Sequence, residues 1–195
     1  DGNVDGDVGG KAKTGGYVAR VYRNNGDGSF SDIAAGLTGV HSCSLSWGDY
    51  DNDGFPDLTI AGNTSSITSP SPVTKIYHNN GDGTFTGIAA GLVGVRDGCV
   101  AWGDCDGDGL PDLAVAGNRS TSLVPSVPFF RVYRNGGNGT FADLGIAFTA
   151  FTDCRLAWVD YANDSMMDLA IPGDTGPGAS CLRYRNDRTG VYFYV

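Results

Sequence analysis

Apolar and polar positions alternate along this chain in short runs, and the runs return in a fixed order. Residues 44–48 read S-L-S-W-G, the alternation of a half-buried strand. Residues 57–62, DLTIAG, are a denser apolar run of strand length, suited to burial on both faces. A Ser/Thr/Pro-rich connection follows. Residues 73–79 (VTKIYHN) and 84–90 (TFTGIAA) then predict two further strands joined through NNGDG, a strong hairpin signal.

This four-strand order recurs about every 55 residues. Trp47, Trp102 and Trp158 share one repeat position; Tyr22, Tyr77, Tyr133 and Tyr184 share a second; Phe30, Phe85, Phe141 and Tyr192 share a third. His78 stands where Arg23, Arg134 and Arg185 stand in the other copies. The aromatic positions read as packing between sheets, with ligand stacking as the sharper alternative. A fixed period of this length means a stack or ring of one supersecondary unit, and four-stranded units arranged radially make a β-propeller. The expected fold is therefore all-β, a β-propeller of four-stranded antiparallel blades. Its expected division is a partial blade at 1–38, blades at 39–93 and 94–149, and a blade with an incomplete last strand at 150–195.

Between the first two strands of each unit lies an acidic loop. WGDYDNDGFPD places Asp49, Asp51, Asp53 and Asp57 in a D-x-D-x-D-G-x-x-D pattern, and WGDCDGDGLPD repeats it with Asp104, Asp106, Asp108 and Asp112. Carboxylates at alternate positions repel one another unless a cation sits among them. Gly54 and Gly109 supply the bend that lets them converge. With the backbone carbonyls of Phe55 and Leu110 added, each loop offers the all-oxygen shell that suits Ca²⁺, in a loop shorter than that of an EF-hand. A third copy, WVDYANDSMMD, keeps Asp160, Asp164 and Asp168 but has Ala162 and Ser165 where an aspartate and the glycine belong, so it is a degenerate metal loop. The opening DGNVD puts Asp1 and Asp5 at the third and last aspartate positions of a further, partial copy.

Composition fits this reading. Gly 31 of 195 residues favours many turns and short strands over helices. The net charge is −9, and two bound Ca²⁺ ions would offset nearly half of it. No basic stripe is available to neutralise phosphates, which excludes a nucleic-acid partner, and no apolar run is long enough to span a bilayer. The cysteines are Cys43, Cys99, Cys105, Cys154 and Cys181. Cys43 and Cys154 share a repeat position and Cys99 lies one residue later, so neighbouring repeats can bring two of them close. Sequons at Asn63, Asn118, Asn138 and Asn163 are candidate glycosylation sites and point to a secreted, extracellular or cell-surface protein.

The Trp47-Gly48-Asp49 start, the two complete acidic loops, the DLTIAG and DLAVAG strands after them and the Y-x-N-x-G-x-G-[ST]-F hairpins resemble the FG-GAP and VCBS-type repeats of integrin α-subunit heads and of many secreted proteins. The resemblance covers essentially the whole chain. It implies Ca²⁺ in the loop between the first and second strands of each blade, hence at Asp49, Asp51, Asp53 and Asp57 and at Asp104, Asp106, Asp108 and Asp112. Propellers of that family commonly have more blades than this chain supplies, so it is expected to be a segment of a larger propeller, with four-bladed closure as the alternative.

Up-and-down strands divide the chemistry between two faces. The acidic loops and NGDG hairpins share one. The other carries the long loops 63–74, 118–128 and 173–180 with the connections around His41, Arg96 and Asp153, where a rigid scaffold usually binds its ligand. The expected function is a non-catalytic, calcium-binding adhesion or ligand-binding module whose partner is a protein, a glycan or copies of itself. Two alternatives are a structural subunit of an extracellular filament or surface assembly, and the propeller domain of a polysaccharide lyase or hydrolase. Against catalysis, the chain has no G-x-S-x-G motif, and His41 and His78 have no evident nucleophile partner.

Overall fold

The computed structural model describes residues 10–11, 16–146, 149–150, 153–174, 179–186 and 192–194. Asp1, Asp5 and residues 175–178 of the third long loop lie outside them, as do the side chains of Cys181 and Tyr192. The described residues form strands, turns and loops only, and the protein is all-β. Among them no helix is long and apolar enough to cross a membrane.

Strands β1 (Gly10–Lys11) and β2 (Tyr17–Val18) pair with each other, as do β3 (Tyr22–Asn24) and β4 (Phe30–Asp32). A four-stranded antiparallel sheet follows, made of β5 (His41–Gly48), β6 (Asp57–Asn63), β7 (Pro72–Asn79) and β8 (Phe85–Ile88). The next sheet contains β9 (Arg96–Gly103), β10 (Asp112–Asn118), β11 (Pro128–Asn135) and β12 (Phe141–Asp143). The last contains β13 (Ala157–Val159), β14 (Asp168–Asp174), β15 (Ala179–Asn186) and β16 (Tyr192–Tyr194). In each four-stranded sheet the strands lie side by side in chain order, the up-and-down topology of a propeller blade.

The sequence explains which strands are deepest. β6 and β10, DLTIAGN and DLAVAGN, are buried at every position, because a neighbouring sheet covers each face. Register repeats from blade to blade: Trp47 pairs with Leu58 and Leu58 with Tyr77, as do Trp102, Leu113 and Tyr133, and Trp158, Leu169 and Tyr184. β5 and β9 begin earlier than their alternating pattern suggests. β5 and β9 carry a bulge near the start, and Ser42, Asp97 and Asp153, at one repeat position, have φ of 49°, 49° and 50°. Non-glycine residues rarely adopt this left-handed conformation.

The core lies in the seams between consecutive sheets. Val21, Val40, Leu58, Ile60 and Tyr77 fill the first seam; Ile76, Val95, Leu113, Val115 and Phe129 fill the second; Cys99, Phe130, Cys154, Leu169 and Ile171 fill the third. The W-G pair has a steric function here. A Cβ on Gly48 would lie 2.5 Å from Cγ of Trp102 in the next blade, and Trp158 covers Gly103 in the same way. Each tryptophan ring therefore lies on the glycine of the blade before it. Trp102 is also enclosed by Tyr50, stacked with ring centroids 6.5 Å apart, and by Phe141 at 5.8 Å.

Candidate metal centres

Each acidic loop is shaped by its own carboxylates. Asp49 accepts hydrogen bonds through Oδ1 from the Asp53 N–H at 3.0 Å and through Oδ2 from the Gly54 N–H at 2.9 Å; Asp53 Oδ1 accepts from the Phe55 N–H at 2.8 Å. The second loop repeats the arrangement: Asp104 accepts from Gly107 N at 2.7 Å and Gly109 N at 2.9 Å, and Asp108 from Leu110 N at 2.9 Å. Gly54 and Gly109, with φ of 90° and 87°, make the turn that directs these N–H groups inward. In consequence Asp49, Asp51 and Asp53 bring one oxygen each within 4.8 Å of one another, and so do Asp104, Asp106 and Asp108.

The third loop keeps the fold and loses the cluster. Asp160 accepts from Asp164 N at 3.0 Å and Ser165 N at 2.8 Å, with Ser165 at φ 68° in the glycine position, but Ala162 contributes no carboxylate. Among the described residues no group of three metal-type ligands forms there.

The last aspartates of the pattern hold the corner of the blade. Asp57 is fully buried, and its oxygens accept from Tyr50 N at 3.0 Å and Asn79 N at 2.8 Å. Asp112 accepts from Cys105 N and Asn135 N, both at 2.8 Å, and Asp168 from Asn186 N at 2.9 Å. Burial pushes the carboxyls of Asp57 and Asp112 up, against the pull of these N–H donors. Asp57 still groups with Asp51 and His78, whereas Asp112 belongs to no such group among the described residues. Tyr50, behind the first loop, is pushed up to about 12 by burial and by the nearby carboxylates, so its phenol stays neutral.

A basic side chain from the third strand leans over each loop. His78 Nδ1 is 3.3 Å from both Asp51 Oδ2 and Asp57 Oδ1, without hydrogen-bonding alignment, and its Nε2 is 3.8 Å from Asp53 Oδ2. Arg134 Nε lies 2.6 Å from Asp106 Oδ2 and its Nη2 3.3 Å from Asp108 Oδ2; Arg185 Nη2 is 3.4 Å from Asp164 Oδ2. The repeated Arg/His after each tyrosine was the available signal for these partners. The two complete loops therefore differ. The aspartate trio of each offers only hard oxygens, the donor set of Ca²⁺, with the His78 imidazole beside the first. At the first, Asp51 Oδ1 is buried without a hydrogen-bond partner and fits a cation, while at the second a guanidinium already lies against two of the carboxylates.

Asparagine side chains join neighbouring blades at this face. Asn135 Nδ2 donates to Tyr50 O at 2.6 Å, Asn186 Nδ2 to Cys105 O at 2.6 Å, and Asn52 Nδ2 links the two complete loops through Gly109 O at 2.8 Å. A groove of about 660 Å³ opens beside the first seam, lined by Tyr22, Ile33, Trp47, Phe55, Asn79 and Phe85.

On the opposite face, Asn63 and Asn118 shape the long loops from inside. Asn63 Oδ1 accepts from Ser71 N at 2.6 Å and its Nδ2 donates to Ser65 O at 3.1 Å; Asn118 Oδ1 accepts from Ser120 N at 2.9 Å and Val127 N at 3.0 Å. Both are buried, so a glycan on either amide would displace the loop that covers it. Asn138 and Asn163 are exposed. His41 sits between Ser65 O at 2.8 Å and Asn63 Nδ2 at 2.9 Å, its ring tilted against Tyr17 with centroids 4.2 Å apart. Arg96 pairs with Asp97 and reaches Ser122 O at 3.3 Å. The loops above these groups expose Ile67, Leu123 and Val124. The family model of the FG-GAP-like repeat matches residues 2–60, 61–115 and 104–171.

Proposed function

The chain belongs to the FG-GAP-like repeat family, and from that premise we propose that it is a non-catalytic extracellular binding module whose propeller scaffold is held by calcium. The observation that carries this reading is the convergence of Asp49, Asp51 and Asp53 on one point at a blade corner, with an unpartnered buried oxygen on Asp51. Calcium bound there supplies positive charge that relieves carboxylate repulsion. The chain's own part is to hold the carboxylates of Asp49 and Asp53 in place through the Asp53, Gly54 and Phe55 N–H groups, with Asp51 beside them. The second loop takes a cation when Arg134 turns away from Asp106 and Asp108. The non-catalytic reading is supported by the lack of a G-x-S-x-G motif and by the loop carbonyl that holds His41.

EDTA is expected to lower the melting temperature and added Ca²⁺ to restore it. At about a hundredfold excess of free calcium over the dissociation constant, linkage amounts to roughly 2.7 kcal/mol for an occupied loop. Asp51→Ala should remove one equivalent of bound calcium in isothermal titration. A melting curve that chelator leaves unchanged rules out the calcium part of the proposal.

The partner, a protein or a glycan, is assigned to the face opposite the acidic loops, where Ile67, Leu123 and Val124 project from loops set on a rigid scaffold. Leu123→Ser with Val124→Ser is expected to reduce retention on protein or glycan arrays at least fivefold while shifting the melting temperature by less than about 2 °C, because both side chains are exposed. Retention equal to that of the unmodified protein would move the binding site elsewhere.

A further inference from the structure

The third seam, between β9–β12 and β13–β16, contains a thiol pair that neither metal binding nor the partner face uses. Cys99 lies on β9 opposite Ala116, and Cys154 lies just before β13. They are 3% and 0% exposed and belong to one apolar cluster. The backbones on either side are already joined, since the Asp153 N–H donates across the seam to Asp97 O at 2.9 Å. The two thiols are neighbours within that cluster and interact with each other. At the preceding seam the corresponding positions are Ser44 and Gly98, so the pair is particular to this seam and does not follow from the repeat.

We propose that Cys99 and Cys154 form an interblade disulfide that joins the blade of β9–β12 to the blade of β13–β16. The pair closes by exchange with a disulfide oxidant R–S–S–R. One thiolate attacks a sulfur of the oxidant, forming the mixed disulfide, and the displaced RS⁻ takes up the proton that thiol has lost. The thiolate of the other cysteine then displaces the second RS⁻, which takes its proton. The products are the Cys99–Cys154 disulfide and two R–SH, with two electrons passed to the oxidant. Because both sulfurs are buried, exchange runs while the seam is open, during folding or on transient separation of the blades, and the closed disulfide is shielded from reductant.

The experiment uses the full chain refolded in a buffer of oxidised and reduced glutathione, quenched with acid, alkylated in denaturant and digested with trypsin without reduction. Mass spectrometry is expected to find peptide 97–119 joined to peptide 135–155. Peptide 97–119 also contains Cys105, so the link must persist in Cys105→Ser and disappear in Cys99→Ser and in Cys154→Ser. The oxidised protein is expected to melt roughly 5–10 °C above the reduced one, as closing a loop of this length implies. Alkylation of both Cys99 and Cys154 after refolding overturns the proposal, as does Cys154 joined to Cys43, Cys105 or Cys181. The mapping on the unmodified chain is decisive even if a cysteine variant does not fold.

Discussion

Asp112→Ala is expected to destabilise the protein by about 3–5 kcal/mol in urea unfolding. Its fully buried carboxylate accepts from Cys105 N and Asn135 N, both at 2.8 Å, and so holds the start of the acidic loop against the end of β11. Alanine leaves two buried N–H groups without acceptors, and hydrogen bonds to a charged group contribute about 1.5–3 kcal/mol each. Asp112→Asn retains one acceptor oxygen but turns an NH₂ toward the other N–H, so it is expected to cost less than alanine and still more than about 1 kcal/mol. The same measurement separates the corner from the metal. The loss in Asp112→Ala should persist in EDTA, because backbone donors cause it. The smaller loss in Asp51→Ala should vanish in EDTA, because Asp51 has no such donors on its buried Oδ1 and acts through the cation. An Asp112→Ala loss that chelator abolishes would instead make Asp112 a metal ligand first and a corner second.

That division between corner and cluster was only half legible in the sequence. The D-x-D-x-D-G-x-x-D spacing identifies the loop and its glycine, since alternation and a left-handed turn leave a plain mark on residue order. It does not say which aspartate faces the backbone. Asp57 and Asp112 read as closing ligands, yet the strand they begin enters a seam covered on both faces, and burial turns their oxygens to the nearest N–H groups. His78 and Arg134 share a repeat position with Arg23 and Arg185, which revealed equivalence and not direction. Only the antiparallel pairing of β7 with β6 and of β11 with β10 brings their ends to the acidic loop. The burial of Asn63 and Asn118 is not legible for a related reason: a sequon is a local pattern, and the loop that folds back over each asparagine closes several residues later. The strands themselves were legible almost to the residue, because apolar alternation and the NGDG turns are properties of neighbours in the chain. The bulges at Ser42 and Asp97 were not, since a φ near 49° at a serine or aspartate is imposed by the seam and has no glycine to announce it.

Gly48→Val is expected to destabilise the protein by about 3–5 kcal/mol, although glycine in a strand is ordinarily a weakness that a β-branched residue repairs. The reversal comes from the next blade. A Cβ at this position would lie 2.5 Å from Cγ and 2.6 Å from Cδ1 of Trp102, distances no real side chain tolerates. The indole cannot retreat, because Tyr50 stacks on it at 18° and Phe141 closes its other side, all within one apolar cluster. Either the seam opens or the blade shifts, and overpacking of a filled core costs about 1–3 kcal/mol before the γ-methyl groups of valine are added. The chain contains its own control. Val159 occupies the matching position of the third repeat and is 44% exposed, with no described tryptophan seated on it. Val159→Ala should therefore change stability by less than about 0.5 kcal/mol. Tryptophan fluorescence reports the same contrast, with a red shift in Gly48→Val as Trp102 meets water and none in Val159→Ala. If Gly48→Val were as mild as Val159→Ala, the tryptophan rings would not be fixed by the blade before them.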